Sequence, residues 1–370
     1  MSEAGTTILA EPQRPGRALP FVQAFYGHAP FLLFALVMMG GSEAIKSYLN
    51  GAASLNPLFL VFNFILFWMM QMVALLPMLF FQVAVFDRAG RPLTALAKAV
   101  KTFFTAEGRF ATGFAMMTAV FVYISGFSAL KAAIPQLQPF AWDQTFERWD
   151  RLLHFGHHPW EWLQPVLGYG PVTMLININY NFWFLTLSMF WLYFAFVEKP
   201  GRLRTQAIAA YMLTWSVGGV LLAVAFSSAG PCYYGLLGLS PDPYAGLMAY
   251  LRDTNQTWPV WALALQDGLW QGFVGNADVD LSKGISAMPS MHNAQALLLV
   301  LSMWNKHRLA RNLAIGHGVL VFLGSIHLGW HYAVDGYLAF AIAGIAWIVA
   351  GIFARHVESR RQPLPITIAG

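Results

Sequence analysis

An all-α integral membrane protein is the fold class this sequence predicts, on three observations. Hydrophobic residues fill 57% of the 370 positions and charged residues only 11%, where a soluble domain carries about 25% charged residues. Several apolar runs reach the ~20 residues that a helix needs to cross a bilayer. The remaining charges are sorted by side, as the positive-inside rule requires.

Apolar runs place about eight helices, near 29–49, 57–86, 111–134, 171–197, 207–228, 291–304, 310–330 and 335–354. The first contains Gly40-Gly41, Glu43 and Lys46, which leaves a re-entrant or interfacial helix as the alternative to a span. Glu43 and Lys46, three apart, read as a structural pair. The second is long enough to tilt or to project beyond the bilayer. The sixth is short because chemically distinctive residues occupy its first turn. The chain thus divides into a cytoplasmic tail at 1–28, two helices and a basic cytoplasmic loop at 29–110, a membrane domain at 111–354 and a cytoplasmic tail at 355–370. There is no internal repeat and no low-complexity segment.

With eight spans, one side holds 16 Lys and Arg and the other six: Lys46, Lys131, Arg148, Arg151, Arg252 and Lys283. Acidic residues lean the other way, 6 against 11. The 16-side is assigned to the cytoplasm. Removing the first span transfers Arg14 and Arg17 and still leaves 14 against 8. The net charge of +5 therefore belongs to short loops, and the expected partner is the bilayer and not nucleic acid. The stretch from Arg88 to Arg109 reads as a lipid-facing basic surface. Residues 1–28 show no secretory signal. The single cysteine, Cys232, excludes an intramolecular disulfide and a thiolate metal cluster, and reads as packing or loop.

The far-side loops are the long ones. Residues 135–170 include "FERWDRLLHFGHHPWEWLQP", and residues 229–290 begin "GPCYYGLLGLSPDPY". Their Trp and Tyr suit the headgroup zone, so short interfacial helices are expected there.

Three residues stand out for chemistry: His292, His331 and Asp335. His331 and Asp335 are four apart and share a helix face. An aspartate so placed accepts the Nδ1 proton and leaves Nε2 as nucleophile or base. His292 follows Pro289 and Ser290, a helix start with a serine cap, where open backbone N–H groups attract anions. Both histidines fall at far-side ends of neighbouring helices. The set suits phosphoryl transfer: His331 attacks phosphorus, His292 protonates the leaving oxygen, and Ser290, the amides and nearby cations hold the other oxygens. No metal and no cofactor is required.

"MPSMH" (Met288–His292) and "HLGWHYAVD" (His327–Asp335) resemble the second and third signatures of the type 2 phosphatidic acid phosphatase superfamily, Pro-Ser-Gly-His and Ser-Arg-x5-His-x3-Asp. The resemblance covers roughly residues 110–350. It implies a six-helix membrane core and a phosphohistidine mechanism, with His331 as nucleophile, Asp335 orienting it and His292 as general acid. Met291 replaces the family's glycine, Ser325 its arginine and Gly324 its serine. No Lys-x6-Arg-Pro signature appears on the matching side. The lost cations need replacements, expected as Lys131 first, then Lys283 and Arg252. These departures, with "SSAGPCYY" (Ser227–Tyr234), resemble the branch containing the inositol-phosphorylceramide synthases.

The implied protein acts on a phosphorylated lipid at the extracytoplasmic leaflet and passes the phosphoryl-bearing group to water or to a lipid alcohol. A transporter or channel using the same histidines is the alternative. His154, His157 and His158 match no standard zinc spacing. Asn177, Asn179 and Asn181 alternate, so they serve different helix faces. Tyr180 and Tyr233 are candidates for substrate contact. Nothing in the sequence speaks to oligomeric state.

Overall fold

The computed structural model describes residues 21–50, 57–105, 109–275 and 284–361. The N-terminal tail with Arg14 and Arg17, the end of the C-terminal tail and Lys283 lie outside the described residues. Every described element is helical, with no strand among the described residues. Among the described residues seven helices are long and apolar enough to cross a membrane, which makes this a multi-pass membrane protein.

The chain forms two compact units. The first comprises residues up to 126 together with 184–199. It holds α1 (Phe21–Gly27), α2 (Ala29–Asn50), α3 (Pro57–Phe81), α4 (Pro92–Thr105), the first part of α5 (Arg109–Leu137) and the end of α8 (Gly170–Leu192). The run at 29–49 is one continuous helix through Gly40-Gly41, and Lys46 pairs with Glu43 at 3.0 Å. The basic stretch folds as α4, with Ala99 and Phe103 buried and Lys98 and Lys101 exposed. Aromatic rings fill this unit: Trp68 stacks on Phe114 at 5.4 Å, and Phe103 lies 4.7 Å from Phe196.

The second unit spans 127–183 and 200–370 and holds the rest. Its elements are the remainder of α5 and α8, α6 (Asp143–Leu153), α7 (Pro159–Leu167), α9 (Arg202–Ser216), α10 (Ala245–Thr254), α11 (Trp261–Val274), α12 (Met291–Met303), α13 (Arg308–His327) and α14 (Ala333–Arg361). Helices α3, α8 and α9 each run on into a π turn.

Helix α14 packs along α9, and α12 packs against both α13 and α14. Small residues allow this: Ala207, Ala210, Ala339, Ala343, Ala346 and Ala350 are buried. With lipid outside, close backbone approach and interhelical hydrogen bonds replace a hydrophobic drive. Gln206 supplies one such bond, donating to the Trp347 carbonyl at 2.9 Å.

Two boundaries differ from expectation. The last helix continues to Arg361, because Arg355–Arg361 has no breaker and the strong helix formers there extend it. The ninth begins at Arg202, since Gly201 is its N-cap. The two long loops do contain short helices, α6 and α7 in one and α10 and α11 in the other.

Candidate active site

The site lies in the second unit. Ser290 is the N-cap of α12, as its position after Pro289 predicts: its Oγ accepts from Asn293 N at 3.4 Å and from Asn293 Nδ2 at 3.1 Å. His292 thus sits in the first turn. Ser290 N donates to the Asp335 carbonyl at 3.2 Å, which ties the start of α12 to the first turn of α14.

His331 immediately precedes α14. Its Nδ1 meets Asp335 Oδ2 at 3.2 Å, and the same oxygen accepts from Tyr332 N at 3.1 Å. Asp335 is fully buried and His331 nearly so. Burial pushes the His331 imidazole down to about 3, with the Lys131 charge adding to it and a backbone hydrogen bond with Ala287 opposing. That direction leaves the ring neutral at physiological pH, the form in which an imidazole nitrogen can act as nucleophile or base.

The two histidine rings face each other with centroids 5.9 Å apart. Tyr180 stacks on His292 at 4.8 Å, and Trp183 lies 4.2 Å from it. Trp183 Nε1 also donates to the His292 carbonyl at 3.1 Å. Tyr180 Oη and Trp330 Nε1 are buried donors that meet no partner among the described residues.

Lys131, on α5, acts electrostatically on both histidines. Gly284 fits closely against it: a Cβ there would come within 2.8 Å of the Lys131 carbonyl. Arg252 is exposed in the last turn of α10.

The three departures from the resembled signatures have physical accounts. Ser325 is fully buried, donates to the Phe322 carbonyl at 2.7 Å and accepts from Asn293 Nδ2 at 3.2 Å. A neutral network thus occupies the position of the arginine. Gly324 lets Tyr180 in, since a Cβ would stand 3.3 Å from its ring. Met291 lies over the glycine pair that follows α9: a Cβ on Gly218 would come 2.6 Å from its Cε.

The segment after α9 completes the frame. Gly230 has φ +107°, and a Cβ on it would meet the Trp330 carbonyl at 2.7 Å. Cys232 is buried, and its N–H donates to the Gly329 carbonyl at 2.9 Å. Tyr233 is turned away, its hydroxyl donating to the Gln266 carbonyl at 3.0 Å.

The expected separation of the asparagines by face holds only for Asn179: Asn177 and Asn181, four apart, share a face of α8, and Asn181 Nδ2 donates to the Asn177 carbonyl at 2.8 Å. Asn177 Oδ1 accepts from Ala262 N at 3.1 Å, and Asn179 Oδ1 meets His317 Nδ1 at 3.0 Å. The loop histidines diverge: His154 to Tyr337, His157 to Glu161, His158 to Glu147. Among the described residues no cluster of three metal-ligating side chains forms.

The sequence does not single out Asp143 and Asp150, yet Asp150 accepts from the Ala333 and Val334 amides beside His331 and Asp143 accepts from the Tyr332 hydroxyl. Their seven-residue spacing, with Glu147 between, was the available signal.

No curated protein and no solved structure matches the chain. A family model described as the PAP2 superfamily matches residues 144–353, which include both histidine segments. Members of that superfamily are phosphatases or phosphotransferases. With the match covering more than half of its length, the chain belongs to the PAP2 superfamily.

Proposed function

We propose that this protein cleaves a lipid phosphoester at the extracytoplasmic leaflet through a phosphohistidine intermediate. The observation that carries the reading is the buried His331–Asp335 pair facing His292, with the Lys131 charge acting on both rings.

Asp335 holds Nδ1, so Nε2 attacks phosphorus. A P–N bond forms as the P–O bond breaks. Burial holds the resting His292 imidazole well below its ordinary value, so the ring takes a proton as the acidic phosphoester binds and gives it to the leaving oxygen. An acceptor hydroxyl then attacks phosphorus, its proton passes to His292, and the P–N bond breaks. Lys131, Ser290 and the first-turn amides of α12 hold the nonbridging oxygens. Tyr180 and Trp330 add neutral donors in place of the lost arginine. Arg252, which is exposed, serves at most at the rim, for the headgroup.

Water as acceptor gives a phosphatase, and a lipid alcohol gives a phosphotransferase. The signature departures and "SSAGPCYY" support ancestry close to the inositol-phosphorylceramide synthases. The charge asymmetry of the loops supports the extracytoplasmic placement.

The test uses protein in lipid nanodiscs without divalent metal, with labelled phosphatidic acid, a polyprenyl diphosphate, or phosphatidylinositol plus ceramide. Free phosphate and new phospholipid are both followed. His331-dependent phosphate release marks a phosphatase, and a His331-dependent lipid product marks a transferase. Equal behaviour of parent and His331→Ala on all three substrates counts against the reading.

A further inference from the structure

Helix α6 carries Asp143, Glu147 and Asp150 along one face. All three are buried, while Trp149 and Leu152 stand open on the helix. A buried carboxylate is costly unless it is hydrogen-bonded, so its partners indicate its use.

Glu147 serves α6 and its neighbour, meeting His158 Nε2 at 2.9 Å and Arg151 at 3.8 Å. The other two reach the chain around His331. Asp143 Oδ1 accepts from Gly230 N at 2.8 Å and from the Tyr332 hydroxyl at 2.8 Å, while its Oδ2 accepts from Ala229 N at 3.0 Å. Asp150 Oδ2 accepts from Ala333 N at 2.8 Å and its Oδ1 from Val334 N at 3.0 Å. Asp143 therefore grips the loop lying on the Trp330 carbonyl and the side chain after His331. Asp150 caps the turn of α14 in which Asp335 sits.

We propose that Asp143 and Asp150 are positioning residues: from outside the histidine segments they clamp the backbone from Trp330 to Val334 and thereby set the His331 imidazole against Asp335 and the substrate. The catalytic part of this rests on the reading of His331 as nucleophile.

The clamp also responds to pH. Burial raises the Asp150 carboxyl to about 7, opposed by the Ala333 and Val334 amides, with the Asp335 charge adding and His154 opposing. The titratable groups facing Asp150 are His154 on its own helix, Asp335 and Tyr337 on α14, and Tyr244 before α10. When Asp150 is ionised, both oxygens accept. When it is protonated, one becomes a donor that confronts a backbone N–H, and the cap weakens.

The experiment uses full-length protein in nanodiscs with isotope-labelled histidine, the His331 resonance being assigned by its loss in His331→Gln. In the parent, that resonance shifts as pH passes through about 7. In Asp150→Asn the shift is absent. Asp143→Asn and Tyr332→Phe displace the resonance at every pH. With a labelled lipid phosphate, Asp150→Asn and Asp143→Asn lower kcat about 100-fold with KM little changed, the scale of a displacement near 1 Å. Tyr332→Phe removes one hydroxyl and keeps the ring, so it reports even where the carboxylate variants fail to fold. A resonance indifferent to Asp150→Asn and Tyr332→Phe overturns the clamp, as does an unchanged kcat in both carboxylate variants. The spectra need no turnover, so absence of His331-dependent chemistry sinks the reading of the site and leaves the clamp to be judged by the resonance.

Discussion

Two histidine–carboxylate pairs in the second unit look alike and are bonded differently. His158 meets Glu147 at 2.9 Å, and His331 meets Asp335 at 3.2 Å. Both histidines are buried. The His158 ring, however, has a carboxylate at each nitrogen, with Glu161 at 3.5 Å from Nδ1. It closes α6 onto α7 and has no nitrogen left for chemistry. His331 gives Nδ1 to Asp335 and turns the ring toward a second histidine and a lysine. Residue types alone do not mark a site; the unused bonding capacity and the groups that surround it do.

Variants can break or sharpen this contrast. The largest effect is expected from His331→Ala, a loss of turnover of roughly ten-thousand-fold, since on the proposed mechanism it removes the nucleophile and with it the covalent route. Folding, read by thermal unfolding in detergent, should be retained. Lys131→Ala should cost about 100- to 1,000-fold in kcat/KM, the scale of one electrostatic donor lost from a transition state. Unchanged turnover and affinity would remove Lys131 from the anion site.

His158→Gln should act in the opposite sense. It leaves buried Glu147 with a poorer partner, so stability should fall by about 1–3 kcal/mol while turnover in the surviving fold stays near that of the parent. His157→Gln, at an exposed pair, should change stability by less than about 0.5 kcal/mol. A turnover loss in His158→Gln matching that of His331→Ala would erase the distinction between the two pairs.

The smallest effect is one of slope. The Asp150 carboxyl is raised to about 7 in the folded chain, so across the window from the ordinary carboxylate range to that value the native state keeps a proton that the unfolded chain has released. Stability therefore falls as pH rises through the window and levels off above it. Asp150→Asn should flatten that part of a melting-temperature profile. The clamp strengthens over the same window, so positioning and stability run in opposite directions with pH.

Much of this was legible in the sequence. Apolar runs located the seven candidate spans among the described residues, because length and hydropathy are what a bilayer selects, whereas the remaining run, at 291–304, forms Met291–Met303, a helix too short to count with them. His292, His331 and Asp335 were readable because ionisable groups beside apolar helices are rare and expensive. Ser290 as a cap followed from its place between proline and an apolar run. Asp143 and Asp150 were hidden, because acidic residues in a Trp-rich loop resemble a solvated surface until the fold buries them. The pairing of Gly324 with Tyr180, and of Met291 with Gly218, was illegible for another reason. Each joins residues far apart in the chain, and only packing shows that one is small because the other is near.

The contact between Trp183 and His292 has an optical consequence. An indole 4.2 Å from an imidazole emits less light when the imidazole becomes cationic, because the cation accepts the excited electron. Subtracting the emission of Trp183→Phe from that of the parent isolates this one ring from the other 13 tryptophans among the 14 in the chain. The difference signal reports whether His292 carries a proton, without a label.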